Sequence, residues 1–180
     1  MALPGSRRLV EKLVEEHYQA LYRYAFRLTG SPLEAEDVTQ EAFCKAQSCW
    51  SQLREPGRAK AWLFSILRNA YLQRVRQRRH QAPLSLDDLG EVQEPPPEPL
   101  PEVGPEQLQE ALGELPEDFR TPVILFYFEE FSYRDIAEQM DLPMGTVMSR
   151  LSRAKAFLRE RLLPTPAAAG PPRGRQAHGL

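Results

Sequence analysis

The sequence predicts an all-α chain: two small helical domains joined by an acidic Pro-rich linker, the second ending in a helix-turn-helix. Three observations lead there. Apolar residues recur at three- and four-residue intervals wherever a period exists, and no run alternates as a strand does. Charge is segregated, because residues 1–80 carry 14 Lys and Arg against 8 Asp and Glu, whereas residues 81–115 carry 9 acidic residues and no basic one. The run Pro95-Pro96-Pro97 falls inside the acidic stretch 81–104, which is too polar to bury a core and reads as an extended linker.

In the first domain, residues 8–80, the stripe Leu9, Val10, Leu13, Val14, Tyr18, Leu21, Tyr22, Ala25, Leu28 predicts an amphipathic helix over Arg7–Thr29, ended by Gly30. Ser31-Pro32-Leu33-Glu34 is a helix-start signature, with a capping serine, proline at the first helical position and glutamate three residues on, so a second helix runs to about Trp50. Pro56-Gly57 marks 51–60 as a loop, and 61–80 reads as a third helix. In the second domain, residues 105–163, two short helices are predicted over 105–115 and 116–129, with Pro122 tolerated near a first turn. Ser132 with Asp135 forms a capping pair, Pro143 forces a break, and 145–162 is the last helix. Residues 164–180, rich in Pro, Ala and Gly, read as a disordered tail.

The 180-residue chain has a formal net charge of −2, a near-neutral average that says nothing about partners. No apolar run is long enough to span a membrane, and no apolar signal core follows Met1, so a cytoplasmic protein is expected. Only Cys44 and Cys49 are present and three His are scattered, which argues against a disulfide scaffold and a metal site. No glycine-rich phosphate loop and no nucleophile with a base is signalled, so neither a cofactor nor catalysis is expected.

Three faces are candidates for binding. On the last helix Val147, Leu151, Ala154, Leu158 and Leu162 point inward, leaving Thr146, Ser149, Arg150 and Arg153 outside: forked donors and small hydroxyls suit a major groove. On the third helix Trp62, Ser65, Asn69, Gln73 and Arg76 share one side, and no carboxylate occurs between Lys60 and His80. An aromatic with amides and arginines suits unpaired bases and their phosphates. On the second helix Asp37, Gln40 and Glu41 oppose Ala35, Val38, Ala42 and Ala46, an acidic polar face fit for a basic partner. Each face is also compatible with ordinary solvated helix surface.

The stretches Ala35-Glu-Asp-Val-Thr-Gln-Glu-Ala-Phe43, Ala61-Trp-Leu-Phe-Ser-Ile-Leu-Arg-Asn69, Leu115-Pro-Glu-Asp-Phe-Arg120, Phe131-Ser-Tyr-Arg-Asp-Ile-Ala-Glu138 and Leu142-Pro-Met-Gly-Thr-Val-Met-Ser-Arg-Leu-Ser-Arg-Ala154 together resemble the extracytoplasmic-function sigma factors of bacterial RNA polymerase. The resemblance implies a region 2 and a region 4 joined by a linker, and a non-catalytic subunit whose partners are core RNA polymerase, at the clamp helices of its largest subunit and its flap region, promoter DNA and an anti-sigma factor. By resemblance Asp37, Gln40 and Glu41 contact the clamp helices. Trp62, Asn69, Gln73 and Arg76 serve the −10 element, and Thr146, Ser149, Arg150 and Arg153 the −35 element. Ser65, Met148 and Phe126 stand where the family often has cationic residues, implying fewer phosphate contacts and a shallower salt dependence. A stand-alone dimeric DNA-binding regulator and a protein-interaction adaptor are the competing readings.

Overall fold

The computed structural model describes residues 4–79 and 103–163; the tail expected from 164, and all but the last two residues of the linker expected over 81–104, lie outside the described residues. Among the described residues all regular elements are helical. Helix α1 spans Pro4–Thr29, α2 Pro32–Cys49 and α3 Ala59–Arg79, with short 3-10 turns at Trp50–Gln52 and Pro56–Arg58 before α3. The second half holds α4 Pro105–Glu114, α5 Glu117–Tyr127, α6 Tyr133–Met140 and α7 Met144–Leu162.

Local chemistry sets the boundaries. Gly30, at φ 69°, ends α1 in the left-handed region that a side chain disfavours, and its N–H donates to Phe26 O at 2.8 Å. Ser31 then caps α2, accepting from the Glu34 N–H at 3.4 Å. At α6 the capping is reciprocal: the Asp135 N–H donates to Ser132 Oγ and the Ser132 N–H to the Asp135 carboxylate, each at 3.2 Å. Asp141, at φ 53°, stops α6, and Pro143 in extended conformation starts α7. This is the expected helix-turn-helix.

Pro122 departs from expectation. It is the sixth residue of α5, beyond the first turn, so the N–H it lacks is one that would have bonded Asp118 O. Arg150 on α7 replaces that donor, its Nη1 lying 3.3 Å from Asp118 O.

Leu21, Tyr24, Leu28, Val38, Leu63, Phe64 and Leu67 fill the first half, and Leu112, Leu115, Ile124, Leu125, Ile136, Val147 and Leu151 the second, all buried. The two clusters are continuous. Tyr24 stacks on Phe64 at 4.9 Å, and Phe64 meets Phe131, just before α6, at 5.1 Å. Arg120 of α5 donates to Leu28 O at 2.8 Å and to Leu115 O at 2.7 Å, so one guanidinium serves the carbonyls that two helix ends leave open.

Candidate polymerase and nucleic-acid interfaces

On α2 the residues Ala35, Val38, Thr39, Ala42 and Ala46 are buried, which turns Asp37 and Gln40 to solvent and leaves Glu41 half-buried. Glu41 accepts from Lys45 at 2.7 Å and from Arg74 of α3 at 2.9 Å. The Lys45 hydrogen bond first, and Arg74 with it, hold the Glu41 carboxyl below its ordinary range. Asp37 lies 3.9 Å from the same Arg74, and Gln40 donates to Glu36 at 3.2 Å. The three residues share one face, but Glu41 is already committed to two cations.

Along α3, Trp62 and Ser65 are half-buried while Asn69, Gln73 and Arg76 are exposed. Trp62 and Ser65 line an open cavity of about 440 Å³ whose other walls are Gln52, Leu53, Arg54, Glu55 and Arg58 from the preceding turns and Asp135, Glu138 and Gln139 from α6. Ser65 Oγ is turned onto Trp62 O at 2.7 Å. Gln73 accepts from Lys45 at 3.4 Å. Three further α3 arginines are engaged: Arg68 pairs with Glu117 at 3.4 Å, Arg74 with Glu41, and Arg78 with Glu34 at 3.0 Å. The sequence marks 51–60 only as a loop; the structure puts its Arg54 and Arg58 at the cavity.

On α7, Val147, Leu151 and Ala154 are buried, Ser149 is exposed, and Thr146 and Arg153 are half-buried. Arg153 makes no ion pair among the described residues, so its charge is available. Arg150 turns inward instead, 3.5 Å from the Asp118 carboxylate and 6.0 Å from the Phe119 ring centre. Three of the four expected residues, Thr146, Ser149 and Arg153, therefore form the outward face at helical spacing. Phe126 stacks on Tyr133 at 4.7 Å, so that position builds an aromatic contact between α5 and α6.

Among the described residues no cluster of His, Cys, Asp and Glu could hold a metal ion. No described helix is long and apolar enough to cross a membrane.

Residues 13–81 match the family Sigma-70 region 2, and residues 105–158 match Sigma-70, region 4. The ECF RNA polymerase sigma factor SigE of Mycolicibacterium smegmatis is 36% identical over 158 residues, 84% of this chain and 61% of that protein's length. The ECF RNA polymerase sigma factor SigL of Mycobacterium tuberculosis is 33% identical over 154 residues, 84% of this chain and 87% of its own. Among solved structures, the sigma factor RpoE of Bartonella quintana, crystallised with the anti-sigma factor NepR, superposes with a TM-score of 0.69 at 30% identity, covering 84% of this chain and 95% of that one. The chain belongs to the sigma-70 family of RNA polymerase sigma factors, in its extracytoplasmic-function group, whose members are non-catalytic specificity subunits.

Proposed function

We propose that this sigma factor binds the clamp helices of core RNA polymerase through Asp37, Gln40 and Glu41, and that residues 105–163 reach the polymerase flap. Trp62, Asn69, Gln73 and Arg76 take the unpaired −10 strand, and Thr146, Ser149 and Arg153 read the −35 element in the major groove, with Arg150 holding α7 in position. Residues 8–80 form the core-binding and −10 unit, 81–104 the linker and 164–180 a tail. The protein acts in the cytoplasm under an anti-sigma factor; the Bartonella quintana complex supports that partner.

The cavity at Trp62 carries this reading, since it stands at the head of the exposed Asn69, Gln73, Arg76 stripe. Extruding a base costs a few kcal/mol, which such a pocket offsets by stacking and hydrogen bonds. The test is run-off transcription by purified core polymerase on pooled genomic DNA, with the transcript starts sequenced. Starts that require the protein and share two spaced upstream motifs are expected. Core polymerase that fails to bind the protein would sink the reading and favour a stand-alone regulator; binding without starts would favour an adaptor.

A further inference from the structure

Two large apolar side chains stand in solvent on α7, the helix assigned above to a DNA groove. Met144 opens the helix and is 53% exposed; Met148 follows about one turn later at 50%. Residues four apart on a helix are neighbours, so the two side chains form one strip. Met144 also lines the open cavity under the α6–α7 turn with Ala137, Leu142 and Pro143, which anchors the rear of that strip. Met148 carries it onto the outward face.

The helical period orders that face. Ser149 stands in its middle, Thr146 and Arg153 lie to one side, and Met148 lies to the other. The middle is small. A Cβ added at Gly145 would meet nothing within 4 Å, so internal packing does not demand a glycine there, and its absence lets the helix approach a groove floor closely. Arg150, turned onto Asp118, supplies no polar reader. One flank of the face is therefore polar and cationic, and the other is apolar.

A methionine cannot read most of what a major groove displays. Its sulfur is at best a weak acceptor, so the donors and acceptors on base edges gain almost nothing from it. The 5-methyl group of thymine is the apolar feature that the four bases present there. The side chain is unbranched with three rotatable bonds, so it can settle against a methyl from a helix that is not rigidly placed. We propose that Met148 is a specificity-determining residue of the −35 interface, seated against a thymine methyl, with Met144 backing it. This rests on the −35 role of α7 proposed above, and names the base that one flank of the helix reads.

The test uses core polymerase assembled with the full chain, and a fluorescent duplex of a promoter whose start requires the protein. Each thymine of its −35 element is replaced in turn by deoxyuridine, which removes the methyl and keeps every hydrogen-bonding group. At one thymine, binding is expected to weaken about fourfold, the worth of burying one such group. With Met148→Ala, or with Met148→Gln, which keeps the length, the same replacement should cost less than about 1.5-fold. With Arg153→Ala the fourfold penalty should persist. The methyl carries no charge, so the penalty should be the same between about 0.05 and 0.2 M salt. Because Met148 is half in water, Tm should not change in either variant. A −35 element without an A·T pair, a deoxyuridine penalty at no position, or a penalty that survives both Met148 variants or is lost equally in Arg153→Ala overturns the methyl contact. The −35 role fails separately, if scrambling that element leaves binding unaltered.

Discussion

Replacing Arg150 by Ala should destabilise the second half rather than simply delete a base contact. The side chain supplies a charged donor to Asp118 O at 3.3 Å and an ion pair to the Asp118 carboxylate at 3.5 Å. A hydrogen bond from a charged group contributes about 1.5–3 kcal/mol, and a partly exposed ion pair at most about 1 kcal/mol. A net loss of about 2 kcal/mol follows, which lowers Tm by about 4–8 °C in a chain of this size. Calorimetry of the full chain measures it. The mechanism has its own control, because Pro122→Ala restores the backbone donor that Asp118 O lacks. In that background Arg150→Ala should cost about 1 kcal/mol less. A loss below about 0.5 kcal/mol, or the same loss with Pro122 and with Ala at that position, refutes the account, since surface substitutions without a mechanism fall within that range.

Arg153→Ala should weaken binding to a −35 duplex by about 1–3 kcal/mol, about 5- to 160-fold, with Tm unchanged, when titrated by anisotropy with the polymerase present. Asp37→Ala with Gln40→Ala should reduce affinity for core polymerase without changing stability, whereas Glu41→Ala should also lower Tm because it leaves Arg74 short of a partner; surface plasmon resonance beside calorimetry separates the two. Glu129 is 4% exposed, with Oε1 lacking a partner, and burial raises its pKa above the ordinary 4.5 despite Lys60, Arg27 and Arg23 nearby. The folded state thus holds this proton to higher pH than the unfolded state does, so the Glu129 contribution to stability falls as pH rises from about 4.5 through its folded pKa and is constant beyond. Glu129→Gln should therefore stabilise the protein at pH 7, by a margin that shrinks toward pH 4; urea midpoints across that range measure it, and a margin independent of pH would contradict the assignment.

The helices were legible because their signals are local. Ser31-Pro32, Ser132 with Asp135, and Pro143 each act within one turn, and the apolar spacing names the buried faces of α2 and α7 correctly. Arg150 was misread for a physical reason. Periodicity assigns a residue to a face by the direction of its Cβ, whereas a long side chain ends where a partner waits, here a carbonyl 32 residues away in sequence. One signal was available. A proline beyond the first turn of α5 implies an unbonded carbonyl four residues earlier, and a guanidinium is a suitable donor for it.

The seam between the halves was illegible because a basic stretch does not itself show which counter-charge it meets. The sequence shows no carboxylate between Lys60 and His80, and such a stretch must find its counter-charge in water, in nucleic acid or elsewhere in the chain. The structure supplies Glu41 and Glu34 of α2 to Arg74 and Arg78, and from the second half Glu117 to Arg68 and the Glu129 carbonyl to Lys60, with Glu138 on Arg58 just before the stretch. Their environments separate the roles. Arg68 and Glu117 are 11% and 12% exposed, so parting them leaves two charges, once paired with little water around them, that must each find a new partner or be hydrated. Arg58 and Glu138 remain wet, so exchanging one anion for another there changes little. Arg58 is therefore the cation of the seam most readily re-partnered, and Arg68 the least.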